Sequence, residues 1–176
     1  LELATGIAAA LAREGMNIVS GYAPGIDTAA HLGAVSSGGV TTAVLASGIL
    51  HFSPRSELGS YCDESNLLVV SEFFPTMPWR SHSAMQRNKT IGGLVGSMVI
   101  VESGVTGGTF AAGTTALEIG CPLYVIDWGT ARQSASGNTE LIRCGGKAVP
   151  AGRWRDELAA VTSAQPGGSA QPNLFD

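Results

Sequence analysis

Ser20-Gly21-Tyr22-Ala23-Pro24-Gly25-Ile26-Asp27-Thr28-Ala29-Ala30-His31 joins an apolar strand to a helix through a glycine-bearing turn. That junction decides the fold. The preceding Met16-Asn17-Ile18-Val19 reads as a buried strand, and Gly21 and Gly25 permit a tight turn and close ligand approach. Asp27 is positioned to cap the helix that follows. Free backbone N–H groups and the helix dipole then make the turn a candidate anion site. His31 lies four residues after Asp27, on the same helix face, and reads as a packing or hydrogen-bonding histidine because no catalytic partner stands at a suitable spacing.

Working outward, helical and strand patterns alternate. An alanine-rich helix spans Leu1 to Glu14, a strand Asn17 to Ser20, a helix Asp27 to about Ser36 and a strand Thr41 to Ala46. A less regular stretch with Pro54 leads to a strand at Asn66 to Ser71 and a loop from Pro75 to Ser83. A helix near Asn88 to Leu94 and the most apolar strand, Ser97 to Glu102, follow. Then come a helix near Thr109 to Ile119, a strand at Leu123 to Asp127, a short helix around Thr139 to Cys144 and a brief strand at Lys147 to Val149. This alternation predicts an α/β, Rossmann-like three-layer fold with a mostly parallel central sheet, in a domain covering residues 1–162.

Composition agrees with such a sheet, buried on both faces: 44% of residues are hydrophobic and only 14% charged. The net charge of −4 excludes a general polycationic coat, so nucleic-acid contact requires a local basic cluster. Cys62, Cys121 and Cys144 show no metal-binding spacing and read as reduced thiols. No apolar run approaches the roughly 18 residues of a membrane span, and no secretion signal opens the chain, which together predict a cytoplasmic protein. Walker A, zincin and nucleophile-elbow patterns are absent. Accordingly, no catalytic residue, metal or cofactor is assigned.

Two further clusters carry candidate chemistry. Arg80, Arg87, Asn88 and Lys89 set three cations within ten residues, suited to phosphate, with Asn88 able to cap a helix or hydrogen-bond a ligand. Gly107, Gly108 and Thr109 form a glycine-rich turn after the most apolar strand, where open parallel sheets bind ligands. Trp79, Trp128 and Trp154 are candidates for base stacking or for packing.

Four ordered segments resemble the DNA-processing protein A (DprA/Smf) family. Ser20 to His31 is similar to its S-G-x-A-R-G-I-D-x-x-A-H, and Leu68 to Pro75 to its strand ending S-E-x-P-P. Gln86 to Leu94 resembles its R-N-R-I-I-A-G-L, and Gly137 to Arg143 its G-x-N-x-L-I-R. Departures are Pro24 in place of the family arginine, Ala84-Met85 in place of Phe-Pro, and Gly107 to Gly113 in place of S-G-S-L-x-T-A. The family also has a preceding strand with a G-S-R motif, so the resemblance implies an amino-terminally incomplete copy.

The resemblance implies a non-enzymatic accessory protein of DNA uptake and recombination that binds single-stranded DNA, helps load a RecA-type recombinase and forms homodimers. Its phosphate site would comprise Gly21, Gly25, Asp27, Arg80, Arg87, Asn88, Lys89, Gly107, Gly108 and Thr109. The alternative is a nucleotide- or nucleoside-phosphate-binding enzyme or sensor. Gly107-Gly108-Thr109 resembles the P-G-G-x-G-T-x-x-E loop of the LOG family, although the next acid here is Glu118. From Ser163 the composition turns to Gly, Ser, Pro, Gln and Ala, predicting a flexible tail over residues 163–176. Its Gln171, Leu174 and Phe175 resemble the peptide by which bacterial DNA-metabolism proteins enter the sliding clamp.

Overall fold

The computed structural model describes residues 1–129 and 132–163. Helix α1 (Glu2–Arg13) begins with an acid and ends with a base, each matched to the helix dipole, and buries Ala4, Ile7, Ala8 and Ala12 on one face. It leads to β1 (Ile18–Ser20), α2 (Ile26–Ser36), β2 (Thr41–Val44) and β3 (Leu67–Val70). Next come α3 (Ser81–Leu94), β4 (Met98–Ile100), α4 (Gly108–Glu118) and β5 (Leu123–Asp127). The described residues end with α5 (Ser136–Arg143), β6 (Lys147–Pro150) and α6 (Trp154–Ser163). None of these helices is long and apolar enough to cross a membrane.

The strands form two parallel ladders, β1-β2-β3 and β4-β5-β6. Ile18 pairs with Thr41 and Thr41 with Leu67 in the first; Met98 pairs with Leu123 and Tyr124 with Lys147 in the second. Side chains alternate between faces. Leu123 and Val125 join Met98, Ile100, Ala116 and Leu141 in a core beneath α4 and α5. Ile126 joins Val101, Val149, Ala29 and residues of α1 and α6 in a core on the other side. The result is the expected three layers, with α1, α2 and α6 on one face and α3, α4 and α5 on the other. Helices α1 and α2 pack so closely that a Cβ on Gly33 would overlap the Thr5 carbonyl.

Three differences from the sequence expectation have local causes. β1 is half-buried rather than buried, because among the described residues its edge away from β2 has no ladder partner and lines a cavity of about 640 Å³. β4 lines the opposite wall, while α1 and α3 close the two faces. Helix α3 begins at Ser81, well before Asn88, since it buries Ser83 and Arg87 rather than an apolar stripe. Helix α6 was not anticipated; Trp154 and Leu158 anchor it to the first core. Beyond Ser163 the expected tail, with Gln171, Leu174 and Phe175, lies outside the described residues.

Candidate nucleic-acid interface

The Gly21–Gly25 turn at the carboxyl end of β1 is held by its own side chains. Ser20 Oγ donates to Asp27 Oδ1 at 2.8 Å, and the Ala23 N–H donates to Asp27 Oδ2 at 3.0 Å. Thr28 Oγ1 donates back to the Ala23 carbonyl at 2.9 Å. The residue flanking the helix start is Gly25, at φ +95°, a conformation that favours glycine. Asp27 therefore lies inside α2 and folds back across the turn instead of capping the helix from outside. Its carboxylate already occupies donors that an external anion would use.

Arg87 ties this turn to the neighbouring strand. Only 7% exposed, it turns its guanidinium inward, where Nη1 donates to the carbonyls of Gly21 and Val44. A Cβ on Gly21 would meet the guanidinium at 2.5 Å, which explains the glycine more directly than ligand approach does. Burial lowers the Arg87 pKa, opposed by the nearby Asp27 and Glu72 carboxylates. Asn88 Nδ2 donates to the Gly108 carbonyl at 3.0 Å and so connects α3 to the start of α4.

The 103–109 loop is positioned from α5. Asn138, 2% exposed, accepts from the Ser103 N–H at 2.8 Å and donates to the carbonyls of Val101 and Ile126 at 2.9 and 2.8 Å. The Gly137 N–H donates to the Ser103 carbonyl at 2.8 Å, and a Cβ there would run into the Gly104 carbonyl. Gly107, at φ +103°, then opens α4, which has neither a side-chain cap nor an acid in its first turn. Gly107, Gly108 and Thr109 are exposed. Their N–H groups lie at the positive end of the α4 dipole, the end of a helix that favours an anion.

Gly21, Asp27, Arg87, Asn88, Gly108 and Thr109 share the cavity between β1 and β4, joined by Ala23, Trp79 and Glu102. Gly21, Ala23 and Asp27 follow β1 and Glu102, Gly108 and Thr109 follow β4, so this part of the cavity lies at the carboxyl ends of the two strands. Gly25 instead lines a neighbouring shallow depression with Leu1, Pro24, Ile26, Glu102, Arg132 and Ser134. Arg80 and Lys89 are exposed and line neither. Sequence reading missed Arg132, which pairs with Glu102 at 3.1 Å and stacks over the Trp128 ring at 4.1 Å. No motif marks it; folding alone brings it to the crevice.

His31 is fully buried. Thr41 Oγ1 donates to the Ile18 carbonyl at 2.6 Å, so the 2.7 Å contact with His31 Nδ1 requires that nitrogen to carry the proton. Among the described residues its Nε2 has no hydrogen-bond partner, and burial depresses the imidazole pKa to about 4. This is a packing histidine, as its spacing predicted. Among the described residues no group of three or more His, Cys, Asp and Glu side chains is arranged to hold a metal.

Comparison with known proteins agrees with this architecture. The profile of the family described as DNA recombination-mediator protein A matches residues 1–159. The chain is 34% identical over 139 residues to the DNA processing protein DprA of Streptococcus pneumoniae, covering 77% of this chain and 49% of that protein. It is 30% identical over 141 residues to the Bacillus subtilis DprA, covering 79% and 47% respectively. Thus the chain spans about half the length of these relatives. The X-ray structure of the Streptococcus pneumoniae DprA superimposes with a TM-score of 0.75 at 30% identity, covering 90% of this chain and 56% of that one. A Helicobacter pylori DprA structure described for its single-stranded DNA binding mode has the same fold, with a TM-score of 0.75 at 20% identity over 91% of this chain and 74% of that one. With its family profile matched across both glycine turns and the loop that Asn138 fixes, the chain belongs to the DNA recombination-mediator protein A family, the DprA/Smf proteins.

Proposed function

We propose that the crevice at the carboxyl ends of β1 and β4 binds single-stranded DNA, and that the chain serves DNA uptake and recombination by presenting the strand to a RecA-type recombinase. The observation that carries this reading is the convergence there of two glycine turns, the uncapped start of α4, and the Arg87 and Asn88 side chains that hold them. Open parallel sheets bind ligands at such carboxyl ends. Exposed Arg80 and Lys89 supply cations for the backbone of a strand longer than the crevice itself. Arg87 acts as an organiser of the Gly21 turn, its charge already spent on two carbonyls. The family's Helicobacter pylori member, described as binding single-stranded DNA, agrees with this assignment.

A LOG-like hydrolase reading has less support. Thr109 and Glu118 stand at opposite ends of α4, separated along its axis by about 13 Å at the helical rise, too far to act on one bond. Homodimerisation and docking of the Gln171-to-Phe175 segment on a sliding clamp complete the proposed partners. The test is fluorescence anisotropy of labelled oligothymidylate against salt, beside duplex DNA of the same length. Single strands should bind more tightly, and Arg80→Ala with Lys89→Ala should flatten the slope of log affinity against log salt by about 1.4, for two lost phosphate contacts. Equal affinity for duplex, or an unchanged slope in the folded double variant, would refute the assignment.

A further inference from the structure

Three tryptophans occur in the chain, and the fold gives each a different environment. Trp154 is 6% exposed within the core beneath α1 and α6. Trp128 is half-buried, its Nε1 donating to the Val101 carbonyl at 2.8 Å and its face covered by Arg132. Trp79 is 65% exposed and lines the same cavity as Arg87, Asn88, Gly108 and Thr109. Among the described residues no aromatic ring or cation stacks over its face. A large aromatic side chain left uncovered at the rim of a polar crevice calls for a ligand with an apolar face.

The segment carrying Trp79 is pre-set. The Gly48 N–H donates to the Met77 carbonyl at 2.8 Å, the Leu50 N–H to the Pro75 carbonyl at 3.1 Å, and His51 Nε2 contacts the Thr76 carbonyl at 2.9 Å. Pro75 and Pro78 restrict the backbone further. Arg80 follows directly and is exposed, placing a cation one residue from the ring. An indole on a braced loop loses little conformational freedom on stacking, so most of the contact is retained as affinity.

We propose that Trp79 is the stacking platform for one nucleobase of a bound single strand, with Arg80 on the adjoining phosphate. This rests on the single-strand reading above. Every base offers a π-face, so the contact adds affinity without sequence preference and without ion release. It divides the binding into a stacking component at Trp79 and a salt-dependent component at Arg80 and Lys89.

The test uses the full chain with oligothymidylate and an abasic oligomer of equal length. Trp79→Ala should weaken oligothymidylate binding by roughly five- to hundred-fold while leaving the salt slope unchanged, and Trp79→Phe should retain most of the affinity. The wild type should prefer the base-bearing strand over the abasic one, and Trp79→Ala should lose that preference. Tryptophan emission should fall on binding in the wild type and much less in Trp79→Phe. Unchanged affinity in a folded Trp79→Ala variant overturns the platform while leaving single-strand binding intact. Loss of self-association in that variant, with DNA affinity preserved, overturns it in favour of a protein contact. Absence of any binding by the wild type overturns both proposals.

Discussion

Replacing Asn138 with Ala should both destabilise the fold and loosen the 103–109 loop. The side chain makes three buried hydrogen bonds, to the Ser103 N–H and to the carbonyls of Val101 and Ile126. Losing it is not equally costly at each. The Val101 carbonyl keeps the Trp128 indole N–H at 2.8 Å, so its loss is partial. The Ser103 N–H loses its Asn138 acceptor in a buried position. Counting about 1–2 kcal/mol for each of the two more exclusive partners gives a loss of about 2–4 kcal/mol. Asn138→Asp tests the donor half alone: it keeps an acceptor for Ser103 but directs carboxylate oxygen at two carbonyls, and should be at least as destabilising near neutral pH. Urea unfolding followed by circular dichroism would show the midpoint falling with little change in slope. Single-strand affinity, measured well below the new midpoint, should also fall, because Ser103 begins the loop that presents Gly107 to Thr109. A loss below about 1 kcal/mol for Asn138→Ala would refute the view that this side chain carries the loop.

His31 makes stability pH-dependent. Its pKa of about 4 when folded lies below the ordinary 6.5, so the unfolded chain takes up the proton first as pH falls. The contribution is complete above about pH 6.5 and is lost between 6.5 and 4, amounting to about 3 kcal/mol; a wild-type pH profile parallel to that of His31→Gln would exclude it. Pro24→Arg restores a cation where the family has arginine, on the rim of the depression shared with Arg132, and should strengthen single-strand binding at low salt with a steeper salt slope. No change in either would remove that rim from the interface. A peptide spanning residues 164–176 should bind a bacterial sliding clamp in the micromolar range, and Leu174→Ala with Phe175→Ala should abolish this without altering DNA affinity. Absence of clamp binding by the unmodified peptide would refute the docking role.

By itself the sequence determined the layers, the parallel strands and the two glycine turns, because these follow from local rules. Apolar runs of strand length alternating with helical patterns place strands and helices, and glycines at Gly25 and Gly107 mark positive φ at two helix starts. The same reading placed His31 as a packing residue, which its burial and its bond to Thr41 bear out. Only the tertiary structure decided what the polar residues do. Arg87 and Lys89 are two positions apart on one helix, so they point in different directions; one is buried against carbonyls of the Gly21 turn and of β2, and the other is exposed. Asp27, expected at a cap, closes its own turn, and Asn138 reaches the ends of two strands and a loop more than 30 residues away. Such roles depend on which backbone groups from distant segments are left without partners, and on whether a neighbour covers a ring such as Trp79. Neither is encoded in the spacing of residues along the chain.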